Sequence, residues 1–115
     1  MDSTLLPEPV VELVARRFRV LAEPTRIRLL DTLRTSGPTS VGELGTRLGL
    51  TQQNTSKHLT VLANEGLVGR TRIGNTAVYA ITDPTVFTLC EVVCDALRHH
   101  VTALQAVLPP MPNPT

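Results

Sequence analysis

The stretch SVGELGTRLGLTQQNTSKHLTVLANEGLV, residues 40–68, constrains the fold more than any other part of the chain. Ser40 and Glu43 form a capping-box pattern: a hydroxyl for an orphan helical N–H, and a carboxylate three residues on. The short helix that follows buries Val41, Leu44 and Leu48, and Gly49 ends it. Thr51 can cap the next helix, whose end is marked by Gly66. Two short helices therefore flank a turn at Gly49-Leu50-Thr51, which is helix-turn-helix geometry.

The flanks complete the pattern. Residues 10–22 place Val10, Val11, Val14, Phe18 and Leu21 at helical spacing, after Pro7 and Pro9. A second helix opens at Pro24, turns Ile27, Leu30 and Leu33 inward, and stops at Ser36-Gly37-Pro38. Behind Gly66, LVGRTRI and TAVYAIT are β-rich runs separated by Gly74-Asn75, a two-residue hairpin signal. A hairpin directly after a helix-turn-helix predicts a winged helix, mainly α with one β-hairpin. Asp83-Pro84 then opens a last helix that runs to about Leu108. Its apolar residues include Val86, Leu89, Cys90, Val93, Cys94, Leu97, Val101, Leu104 and Leu108, with Val92 and Ala96 as a second edge. One small core cannot cover so apolar a helix, so the expectation is a symmetric dimer in which it packs on its partner.

Length and composition agree with one domain. The chain has 115 residues, of which 42% are hydrophobic and 3% aromatic, so the core must be Leu, Val, Ile and Ala. The expected division is a flexible arm over 1–9, a folded domain over 10–108, and a disordered Pro-rich tail over 109–115. The N-terminal MDSTLLPEPVVELV has no basic region before an apolar core, and no apolar run approaches a membrane span. Two cysteines are too few for a disulfide framework, so the cytoplasm is the expected compartment and no membrane partner is expected.

The second helix of the pair raises the functional question. Thr55, His58, Leu59 and Leu62 share one face and should pack on the preceding helix. Gln52, Gln53, Ser56, Lys57 and Thr60 then point outward at the N-terminal end. Gln can bond adenine bidentately, Ser donates or accepts, and Lys reaches guanine or phosphate. The helix N-terminus itself favours phosphate. An ordinary solvated face would look similar, but the capped helix before it and the hairpin behind it favour reading of double-stranded DNA.

Arg70 and Arg72 alternate on the first hairpin strand and could reach backbone phosphate or the minor groove, or merely keep the strand soluble. From Thr39 to Thr82 the net charge is +2, within a chain of +1, which also leaves room for a winged-helix module that binds protein instead. An enzyme is not expected: the carboxylates are scattered, no Gly-rich phosphate loop occurs, and no His is an obvious base for either Cys.

LAEPTRIRLLDTL (21–33), the 40–68 stretch and the hairpin ending VYAI resemble the ArsR/SmtB family of bacterial repressors, over roughly residues 14–104. The resemblance implies a winged-helix homodimer built on its first and last helices, binding an inverted-repeat operator. It also implies release of DNA when an inducer, often a metal or metalloid, binds. The family's inducer ligands are mostly missing. SVGELGTRL lacks the Cys-x-Cys of one site type, and Val61 and Glu65 lie near the end of a helix that lacks the cysteine of another. A third type needs an Asp-x-His: Asp83 is present, but Thr85 stands at the His position, Ala96 occupies one of the partner's ligand positions, and His99 lies near the other.

What remains is LCEVVCDALRHH. Cys90 and Cys94 are one helical turn apart, and two chains would bring four thiols near one axis. Soft thiolates suit zinc, copper(I) or arsenite. Thiols can also oxidise or bridge two chains, and buried Cys can act as a small hydrophobe. His99 and His100 are further metal candidates, or a solvated late helical turn that suits the dipole.

Overall fold

A computed structural model describes residues 5–107, which form two compact units, one up to Asp83 and one from Pro84. The first unit holds helices α1 (Glu8–Leu21), α2 (Pro24–Ser36), α3 (Val41–Leu48) and α4 (Gln52–Asn64), with strands β1 (Thr39–Ser40), β2 (Val68–Ile73) and β3 (Thr76–Ile81). The second is the long helix α5 (Thr85–Val107). Helix α1 begins at Glu8, two residues inside the span expected to be a flexible arm, because Pro7 and Pro9 hold φ values that a first helical turn accepts. Leu108 and the Pro-rich stretch 109–115 lie outside the described residues.

Local chemistry sets the helix ends. The Glu23 carboxylate caps α2 by accepting from the Arg26 N–H at 3.1 Å. Ser40 accepts from the Glu43 N–H at 3.2 Å, which is half of the capping box. Glu43 does not return the bond: its carboxylate pairs with Arg47 one turn on, at 3.3 Å. Gly49 closes α3 in the left-handed conformation, at φ 68°.

The core is aliphatic. Leu29 and Leu33 of α2, Leu44 of α3, Leu59 and Leu62 of α4, and Leu67 are fully buried. Ile27, expected inward, is 45% exposed. The buried arc of α2 is centred between Leu29, Leu30 and Leu33. At 100° per residue, Ile27 lies roughly 110° from that centre, and Leu29 takes its place.

The sheet has the order β1-β3-β2, all antiparallel. The hairpin register runs from Val68↔Ile81 to Ile73↔Thr76 across the Gly74-Asn75 turn, with Gly74 at φ 62°. Strand β1 is an addition to the expected hairpin: Thr39 and Ser40 pair with Tyr79 and Val78, which ties the loop before α3 to the wing. In α5 no 18-residue stretch is apolar enough to cross a membrane, and the same holds of the other described helices.

Candidate nucleic-acid interface

Helix α4 is capped at its N-terminal end. The Thr51 hydroxyl accepts from the Asn54 N–H at 3.1 Å, and the buried Thr55 hydroxyl donates to the Thr51 carbonyl at 2.8 Å. The turn packs equally closely, with the Leu50 N–H donating to the Gly45 carbonyl at 2.8 Å. Thr55, Leu59 and Leu62 form the buried stripe, and half-buried His58 flanks it. The Arg26 guanidinium lies 3.2 Å from His58 Nδ1 and donates to the Val20 carbonyl at 2.6 Å, joining α1, α2 and α4.

That anchoring turns a polar surface outward. Gln52, Gln53, Ser56, Lys57 and Thr60 are all exposed, as expected from their spacing. Asn54 is exposed with them, a first-turn amide that the face argument left out. The Thr60 hydroxyl donates to the Ser56 carbonyl at 2.9 Å, which leaves its lone pairs to accept. No acid lies in the first turn of α4, so nothing there opposes the attraction of the helix N-terminus for an anion. On the wing, Arg70 and Arg72 are exposed at alternate positions of β2, opposite Tyr79 and Ala77. Arg47 is engaged by Glu43 on its own helix and by the Ser36 hydroxyl at the end of α2, at 2.6 Å.

The far end of α4 is clamped by α1, which sequence reasoning missed. Glu65 receives Arg16 Nε at 3.0 Å and Arg17 Nε at 2.8 Å. Arg17 also donates to the Glu65 carbonyl at 3.3 Å and lies 3.7 Å from the Asp83 carboxylate. Pairs so distant in sequence leave no local signal.

On α5, Cys90 is half-buried and Cys94 exposed, one turn apart. His99 and His100 are exposed, but at 100° per residue His99 lies roughly 140° round the helix from Cys94. Among the described residues no three His, Cys, Asp or Glu side chains gather where they could hold one metal ion.

Comparison with known proteins bears on this arrangement. A helix-turn-helix domain family matches residues 21–69. The HTH-type transcriptional regulator Rv0081 of Mycobacterium tuberculosis is 38% identical over 102 residues, 88% of this chain and 89% of its own length. Its crystal structure superimposes with a TM-score of 0.73 at 37% identity, covering 84% of this chain and 97% of that one. The homodimeric winged helix-turn-helix DNA-binding domain of a possible ArsR-family transcriptional regulator from Mycobacterium bovis matches at TM-score 0.70 and 29% identity, over 87% and 95% of the two chains. The antimony-specific transcriptional repressor AntR matches at TM-score 0.71 and 32% identity, over 89% and 92%.

Proposed function

The chain belongs to the ArsR family of helix-turn-helix transcriptional regulators, and from that premise we propose that it is a dimeric repressor that reads an inverted-repeat operator with α4. One observation carries the proposal: the exposed front of Gln52, Gln53, Ser56, Lys57 and Thr60, uninterrupted by any acid and fixed over a fully buried Thr55–Leu59–Leu62 stripe. The Gln amides would bond base edges in the major groove, Lys57 would take phosphate or guanine, and the wing arginines would take neighbouring backbone. A two-fold dimer would set two half-sites about one helical turn, or a multiple of it, apart. The domain over 10–108, with an arm before it and a tail after it, and a cytoplasmic setting belong to the same proposal.

The inducer reading is thiol-directed. A relative is described as antimony-specific, and Cys90 and Cys94 give this chain two soft donors within one turn. One chain fits a two-thiolate contact to a soft ion, not a closed four-ligand site. A bound soft ion would supply strong thiolate ligation that cross-links the turn, or two chains. The same two thiols could instead oxidise, or bridge two chains across the proposed dimer contact.

The test is fluorescence anisotropy on the DNA immediately upstream of the protein's own coding region, at one stated salt concentration. Lys57→Ala is expected to weaken binding to every duplex and to flatten the salt dependence by about one unit of slope. Gln53→Ala is expected to relax preference at one position of each half-site, by about 1–3 kcal/mol. Unchanged affinity and preference in both variants would remove α4 as the reading element. Reduced dimer that binds, beside alkylated dimer that does not, would place control of DNA affinity in Cys90 and Cys94. Equal binding would leave them as packing residues.

A further inference from the structure

Helix α4 presents its polar front at one end, and its other end is held by charge. Glu65 sits at the C-terminal cap with its carboxylate only 10% exposed. A carboxylate so placed is unfavourable unless it is paired, because burial strips its water and the helix C-terminus is itself negative. Both pairing groups come from α1: Arg16 Nε at 3.0 Å on one oxygen and Arg17 Nε at 2.8 Å on the other. Arg17 also bonds the terminal carbonyl of Glu65 at 3.3 Å, so one guanidinium holds side chain and backbone together. The same Arg17 and Glu65 line a shallow concavity of about 450 Å³ with Val10, Leu13, Val14 and Phe18. Those four, with Val11, are the exposed large apolar side chains of α1.

We infer that Arg17 and Glu65 are positioning residues for DNA reading: they fix the angle of α4 to α1, and so carry the placement of the apolar α1 surface to the recognition face. The inference rests on the proposed DNA-reading role of α4. A 13-residue helix is a rod of about 20 Å. Thr55, Leu59 and Leu62 seat one side of the rod and Glu65 pins its rear, so release of the rear lets the rod rock on that seat and tilts its front. Phosphate attraction tolerates such a tilt, whereas bidentate base contacts do not. Loss of the clamp therefore lowers discrimination between sequences more than it lowers binding itself.

The probe is the duplex that the full-length wild-type chain enriches from a random pool, compared with a scrambled duplex of equal length. In Glu65→Gln the ratio of the two affinities is expected to fall about fivefold or more, with scrambled-duplex affinity and its salt slope unchanged. In an Arg16→Ala, Asp83→Asn background, which removes the like charges the swap would otherwise meet, the charge-swapped pair Arg17→Glu with Glu65→Arg is expected to regain part of the ratio that either single change loses. Melting temperature is followed for every variant. An unchanged ratio in Glu65→Gln overturns the inference. So does a swapped pair that recovers its melting temperature but not its ratio, since a merely structural salt bridge behaves that way. If the swapped pair does not fold, Glu65→Gln alone decides. Wild-type chain that enriches no sequence removes the DNA-reading proposal, and this inference with it. Selective wild type beside an unaltered Glu65→Gln removes only the inference.

Discussion

Gly45 sits where α3 meets α4. A Cβ there would stand 3.0 Å from the Thr55 hydroxyl and 3.1 Å from the Leu50 carbonyl. The second contact is backbone and the first is the buried hydroxyl that bonds Thr51, so neither can retreat freely. Helix propensity favours Ala over Gly by about 1 kcal/mol, but overpacking costs about 1–3 kcal/mol. Gly45→Ala is therefore expected to be destabilising on balance, as a lower midpoint in urea unfolding, and a raised midpoint would contradict the packing argument. Single residues differ in how far the sequence alone exposes them. Thr51, Gly49 and Ser40 act through their neighbours in the chain and were legible. Glu23 as the cap of α2 was not legible, because Glu lies outside the Ser, Thr, Asp and Asn that mark caps; nor was Glu65 as the acceptor for Arg16 and Arg17. A carboxylate announces no partner tens of residues away, and Arg17 and Glu65 are 48 apart.

At the scale of the element, the paired helices and the wing were legible because each is bounded by its own chemistry: caps, left-handed glycines and a two-residue turn. Strand β1 was not, because two residues carry no period, and Thr39 and Ser40 become a strand only when Tyr79 and Val78 arrive opposite them. The exposed side of α4 followed from the period of its buried residues alone. What the wing contributes is a question of charge. Arg70 and Arg72 stand on one side of β2, while the Gly74-Asn75 tip has none. If both guanidiniums meet phosphate in the proposed complex, changing them together to alanine removes up to two counterion-releasing contacts. The slope of log affinity against log salt is then expected to shallow by about 1.8. Both are exposed, so folding stability should stay within about 0.5 kcal/mol. An unaltered slope would leave these arginines as strand charges without a DNA role.

For the whole molecule, the question is what covers α5. Its 23 residues make a rod of about 34 Å. Val92, Val93, Leu97, Val101 and Leu104 along it are all exposed in the single chain, Leu97 at 54%. Apolar surface in that density marks an interaction face, and α1 adds Val10, Leu13, Val14 and Phe18 of the same kind. The proposed occupant is a second copy, because a homodimeric domain from Mycobacterium bovis superimposes on most of this chain. A charge placed in the middle of that face separates the alternatives. Leu97→Asp changes a side chain that the single chain leaves in solvent, so a monomeric fold would tolerate it. In a dimer the carboxylate would be buried without a partner, and association would be lost. Sedimentation is expected to show the mass of one chain, with helical circular dichroism retained. Operator affinity is expected to fall about a hundredfold or more, as one half-site must then be held without the other. A variant that still sediments as a dimer with wild-type affinity would move the dimer contact off the face around Leu97.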